Sequence, residues 1–283
     1  MNPYLKKMVL GLVAFFALIG MIFTAVFIGM RFELFNVRGS NAERNKFFME
    51  GAASETVLGI PCSDAAKKTC GWNETPEWAV IKSGLQKDDA IISRVSEETG
   101  VSKRMIAAVI IPEQARFFTS NREVFKRYFE PMKILGSMSQ FSLGVSGIKE
   151  KTALEIEVNL ANEKSEFYPG AKLRNLIVYE EKADREKELF NRLTDEHDHY
   201  YSYLYTALYI KEIESQWKTS GFDISKDAEI IATLFNIGFD GSHPNAEPHV
   251  GGTSIDLGGK KYIYGELGAN FYHSEELADV FAK

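Results

Sequence analysis

The chain has 283 residues, 45% hydrophobic and 25% charged, with a formal net charge of −6. These values are ordinary for a globular protein with a sizeable core. The acidic balance argues against a nucleic-acid binder, which needs surplus Lys and Arg against phosphates, and no basic patch interleaved with aromatics stands out.

Met8 to Met30, MVLGLVAFFALIGMIFTAVFIGM, is 23 residues without a charge. As a helix it would reach ~34 Å, enough for a hydrocarbon core of ~30 Å. The run is longer than the apolar part of a cleaved signal and lacks an A-x-A site, so it reads as an uncleaved anchor. Lys6 and Lys7 precede it, whereas Arg31 and Glu33 follow and largely cancel. The positive-inside bias puts the N-terminus in the cytoplasm and everything after residue 31 outside. The expected organisation is a stub and anchor over 1–30, a juxtamembrane segment over 31–80, and one folded domain over 81–283.

Cys62 and Cys70 lie in GIPCSDAAKKTCGW within the juxtamembrane segment. In an oxidising compartment such a pair reads as a disulfide closing a small loop, with two unpaired thiols as the alternative. A zinc site would need a second ligand pair that the chain does not have.

The pattern then turns helical. Residues 85–100 place Ile91, Ile92 and Val95 on one face and stop at Gly100. Ser102 reads as the cap of KRMIAAVIIPEQARFF, whose middle is apolar on nearly every side and so predicts a buried helix. Residues 120–136 form another amphipathic segment, and a helix is expected over Thr152 to Leu160. Residues 179–194 carry opposite charges at helical spacing, the pattern of a solvated face. A long helix from His199 to Trp217 bears Tyr201, Tyr205 and Tyr209 at four-residue intervals, a stripe that fits a core better than a sugar platform. Asp227 to Asn236 is a further apolar helix, followed by a long Gly/Pro/His/Asn loop and a short terminal helix. The fold class expected is all-α.

Glu113 ends the apolar run MIAAVIIP, so a carboxyl emerges where its neighbours exclude water. Desolvation disfavours the charged form, which is how a carboxyl is kept as a general acid near neutral pH. A helix-end glutamate that has simply reached the surface is the alternative. In FSLGVSGIKEKTA, residues 141–153, Ser142, Gly144, Ser146 and Gly147 crowd together before a helix. Glycines at this spacing permit a sharp bend or the close approach of another molecule.

With Glu113, this stretch resembles the lytic transglycosylases and the wider lysozyme-like superfamily that cleaves peptidoglycan. Those enzymes carry a catalytic Glu at the end of a buried helix and then S-x-G-x-x-Q, four residues, and T-A opening a helix. Ser142, Gly144, Thr152 and Ala153 stand at the matching spacings. The family's later A-x-Y-N-x-G is similar to Thr233-Leu234-Phe235-Asn236-Ile237-Gly238. The resemblance covers roughly residues 95–240. It implies a lysozyme-like helical domain, Glu113 as acid and then base on the MurNAc–GlcNAc linkage, and Gln114, Ser142, Gly144, Ser146, Gly147, Phe235 and Asn236 along the substrate cleft. Gln114 stands where the family usually has Ser, Gly147 where it has Gln, and Phe235 where it has a Tyr whose hydroxyl lies near the acid. These departures bear on activity more than on fold, and they keep a wall-binding or envelope-assembly module as the rival.

Glu123 and Glu130 are expected to face solvent, so no second carboxylate is evident for a hydrolytic pair. A transglycosylase needs none, because the substrate's own C6 hydroxyl attacks. Glu266, in YIYGELGANFY, is a second isolated acid that would line the same cleft. His197-x-His199 puts its rings on different faces, and His243 and His249 share a loop with Asp240 and Glu247. No metal or cofactor is expected. The expected partners are glycan strands and, through residues 8–30, a membrane.

Overall fold

The computed structural model describes residues 3–31, 70–119, 142–143, 145–180, 184–195 and 197–282. The expected helix over 120–136, with Glu123 and Glu130, lies outside the described residues, as do Gly144, Cys62 and most of the juxtamembrane segment. Helix α1, Pro3–Arg31, runs through the whole uncharged stretch. Leu10, Phe16 and Met21 are exposed along it. Among the described residues no helix is long and apolar enough to cross a membrane.

The packed domain begins before the expected boundary at residue 80. Trp72–Glu74 forms a 3₁₀ turn and α2 follows at Pro76–Lys87. Thr75 accepts the Trp78 N–H at 3.1 Å, and Pro76 opens the first turn, where its missing N–H costs nothing. Trp72 and Trp78 meet edge to face at 4.9 Å, and both rings touch Phe271 near the C-terminus. That aromatic contact makes residues 70–80 part of the domain.

The expected helix over 85–100 is two helices, since α3 is a separate element at Asp89–Thr99. The break falls at Asp88, whose carboxylate is committed to the interior. It accepts the Tyr203 hydroxyl at 2.7 Å and meets His199 Nδ1 at 2.6 Å. Helix α4, Lys103–Thr119, is the buried helix that the apolar run predicts, and Ser102 Oγ accepts the Met105 N–H at 3.2 Å. Ile106 to Ile111 are all buried.

After α4 come a small hairpin, β1 (Ser142–Leu143) with β2 (Ile148–Lys149), and α5, Glu150–Ala161. Helix α6 follows at Arg185–Thr194, then α7 at Tyr200–Thr219 and α8 at Ala228–Ile237. A second hairpin, β3 (Ser254–Leu257) with β4 (Lys260–Ile263), precedes α9, Tyr264–His273. This hairpin corrects the reading of residues 238–259 as one loop. Gly258 and Gly259 both take positive φ, as a tight two-residue turn requires, while Ile255 and Leu257 alternate inward. The domain is mostly helical, with two short hairpins added.

Helix α4 packs against α2, α3, α7, α8 and α9. The approach of α9 is close for a definable reason. Pro112 has no N–H to give the Ala108 carbonyl, and α9 brings Gly268 to that spot, where a Cβ would come within 2.7 Å of the Ala108 oxygen. The C-terminal segment is held by Arg104, which is fully buried. Its guanidinium donates to the carbonyls of Phe271, Tyr272, Ser274, Glu276 and Phe281. Five carbonyl acceptors replace the water that a buried charge would otherwise lose.

Candidate functional site

Glu113 lies on the last turns of α4, only 4% exposed. Arg116, one turn on, donates to Glu113 Oε1 at 2.5 Å, so the buried carboxyl has a charged partner from its own helix. The first hairpin covers the same carboxyl. Gly147 stands in the left-handed region at φ +64°, and a Cβ there would come within 2.5 Å of Glu113 Cδ. Any other residue would be strained by its φ and would overlap the acid. The bend and the close approach are therefore one feature, and what approaches the glycine is Glu113.

Two further groups complete the cluster. Tyr264, the first residue of α9, is fully buried and donates its hydroxyl to the Val109 carbonyl at 3.0 Å. Burial, and then the Glu113 carboxylate beside it, pushes the Tyr264 hydroxyl well above its ordinary pKa; Arg116 opposes this, and a hydrogen bond joins Tyr264 to Glu113. A tyrosine hydroxyl thus reaches the acid, but from α9 rather than from residue 235. In the turn between β1 and β2, Ser146 is fully buried and its hydroxyl has no hydrogen-bond partner among the described residues. A buried orphan of this kind costs about 1–3 kcal/mol unless water or a ligand meets it.

The remaining residues singled out from the sequence fall in other roles. Gln114 is fully buried and donates an amide N–H to the Val145 carbonyl. Ser142 sits on β1 opposite Lys149. Phe235 is half-buried, its ring edge-on to Tyr209 at 5.1 Å. Asn236 accepts the Thr253 N–H at 2.8 Å and the Thr253 hydroxyl at 3.1 Å, tying the end of α8 to the residue just before β3. Glu266 is exposed and accepts the Ile263 N–H at 3.3 Å, as a helix cap does. Cys70 is buried, 3.9 Å from the Gly258 carbonyl, and no described cysteine is a free thiol. Among the described residues no group of three His, Cys, Asp or Glu is arranged to hold a metal ion.

An open groove of about 520 Å³ lies at the start of α5, immediately after β2. Leu154, Val158, Phe167 and Phe239 form its apolar walls, with Lys151 and Asn159 among its polar atoms. The Phe167 and Phe239 rings meet edge to face at 4.8 Å. Asn159 also donates to Glu212 on α7 at 3.1 Å. Glu212 is fully buried, its Oε1 has no hydrogen-bond partner among the described residues, and burial pushes its carboxyl up to about 9. Glu212 carries no motif in the sequence, although it lies three residues beyond Tyr209, on the same side of α7 as the tyrosine stripe.

No family model, curated protein or solved structure matches the chain. The chemistry rests on the cluster itself. One carboxyl faces a tyrosine hydroxyl, a guanidinium and the backbone of a two-stranded turn. Such a group can give or take one proton in a site with little water, provided that Arg116 releases its oxygen.

Proposed function

We propose that the chain is a membrane-anchored enzyme that cleaves the MurNAc–GlcNAc β-1,4 linkage of peptidoglycan through the single acid Glu113, in the manner of a lytic transglycosylase. The observation that carries this reading is the meeting of Glu113 with Gly147. Two stretches related by the resemblance, far apart in sequence, come together so closely that a side chain on Gly147 would overlap the carboxyl. The buried Ser146 hydroxyl lies one residue from Gly147 in the same turn. The groove at α5, with its phenylalanine walls, offers apolar faces of the kind on which sugar rings pack. A lysozyme-like arrangement of the helices and a catalytic role for Glu113 belong to this proposal.

In the same reading the uncharged run of residues 8–30 is the membrane anchor that its length and composition predict. Leu10, Phe16 and Met21 along it are exposed, and lipid would cover them. Residues after 31 then face an oxidising compartment, in which Cys70 is bridged to Cys62.

A catalytically silent wall-binding module on the same fold is the rival. The ion pair favours it, because an oxygen held by Arg116 is not free to protonate a leaving group. Zymography on a peptidoglycan gel with wild-type chain and Glu113→Gln separates the two. General acid–base catalysis is worth about 10²–10⁴-fold, so the wild type should clear the gel and the variant should lose at least about 10² of that activity while still folding. The digest should carry 1,6-anhydro ends. Undiminished clearing by Glu113→Gln would remove Glu113 from the mechanism, and a wild type that binds peptidoglycan without clearing it would leave the binding module.

A further inference from the structure

Gln114 occupies an unusual place beside the acid. It follows Glu113 on α4, yet its side chain leaves the helix for the β1–β2 turn and donates to the Val145 carbonyl. The two tied residues are 31 positions apart in the chain. The next turn residue, Ser146, is buried, and the one after it, Gly147, lies on the Glu113 carboxyl. Consecutive residues of α4 therefore meet Val145 and Gly147 of one four-residue turn. A hairpin with two residues in each strand has too few ladder bonds to hold its own position. The amide of a fully buried Gln supplies what the ladder lacks.

We propose that Gln114 is a positioning residue: its hydrogen bond to Val145 fixes the β1–β2 turn so that the Gly147 backbone stays against the Glu113 carboxyl and sets that carboxyl's surroundings. This rests on the reading of Glu113 as the acid only for its catalytic consequence. The coupling between turn and carboxyl is a property of the folded chain with or without a glycan. Because α5 and its groove begin directly after β2, the same tie links the groove end of the hairpin to the acid.

The experiment uses the full chain without glycan, so it is independent of whether the protein cuts sugar linkages. Gln114→Met keeps the length of the side chain and removes the donor. Amide exchange across residues 145–149 should speed by about tenfold, as expected for loss of one buried hydrogen bond, while the middle of α4 stays protected. The carboxyl carbon resonance of Glu113 should show a moved titration midpoint. Gln114→Glu is the conditional rescue: when protonated it can still donate to Val145, and when ionised it repels the carbonyl. Protection of the turn should then be near wild type in acid and fall as the new carboxyl ionises. Unchanged exchange in the turn and an unmoved Glu113 titration in Gln114→Met would overturn the proposal. So would equal turn protection at all pH values in Gln114→Glu.

Discussion

Glu212 gives the chain a dependence on pH that can be worked out from its surroundings. Its carboxyl is fully buried on α7, has one hydrogen bond from Asn159, and is pushed by burial from 4.5 up to about 9. The folded chain therefore keeps a proton that the unfolded chain releases near 4.5. Between those values the folded state binds more protons, so stability falls as pH rises, by about 1.4 kcal/mol per unit. The contribution is complete below about pH 4.5 and is lost progressively as pH rises toward 9. At pH 7 the accumulated loss is about 3 kcal/mol, a large fraction of the 5–15 kcal/mol typical of a domain. Glu212→Gln keeps the shape and an oxygen for Asn159 to donate to, and it cannot ionise. Urea denaturation followed by tryptophan fluorescence should find the two chains similar near pH 5 and the variant more stable by about 3 kcal/mol at pH 7. Trp217 on the same helix is buried and reports on this region directly. A stability difference that stays constant between pH 5 and pH 8 would refute the argument, because the titration of Glu212 would then not be coupled to folding.

Three other outcomes are expected. Gly147→Ala places a methyl group into the Glu113 carboxyl at a left-handed φ, so it should destabilise the domain by about 2 kcal/mol and lower any cleavage activity, read by denaturation and zymography. Arg104→Met strips donors from five buried or partly buried carbonyls, and the loss should be at least about 3 kcal/mol, seen as a lower Tm and as faster proteolysis of the C-terminal residues. If Cys70 is bridged to Cys62, thiol labelling of the denatured, unreduced chain should find no free cysteine, and reduction should lower stability by about 2–3 kcal/mol at most; labelling of both thiols without reductant would reject the bridge.

What was legible in the sequence follows the range of the interaction involved. The run MIAAVIIP announces a buried helix because every residue of one segment carries the same signal, and α4 lies where that run places it. The start of α2 was written in Thr75-Pro76, a cap followed by a first-turn proline, although the expected boundary passed over it. The second hairpin was also written locally, in Gly258-Gly259 between alternating residues, and was missed because the surrounding glycines and prolines read as loop. Glu212 had a partial signal, since it lies three residues beyond Tyr209 on the side of the tyrosine stripe, where a charged residue has to be buried. Tyr264 and Arg104 had none. Tyr264 reaches Val109 across 155 residues, and Arg104 reaches Phe281 across 177. No periodicity or spacing encodes contacts at such range. They follow from the packing of α9 on α4, where Gly268 comes against the Ala108 carbonyl.

The same packing sets the problem that Glu113 has to solve. Arg116 is one turn away on the same helix, so its guanidinium remains beside the carboxyl whatever the hairpin does. A guanidinium complements an anion. Tyr264 is different. Its hydroxyl donates to the Val109 carbonyl and also joins Glu113, and with burial that contact holds the phenol in its protonated form. The carboxyl thus stands between a guanidinium and a phenol that keeps its proton. Burial under Gly147 removes the water that would otherwise soften both. With Glu113 as the proposed acid, the guanidinium and the phenol both complement its ionised state, so release of its oxygen by Arg116 is the step that the protonated state requires.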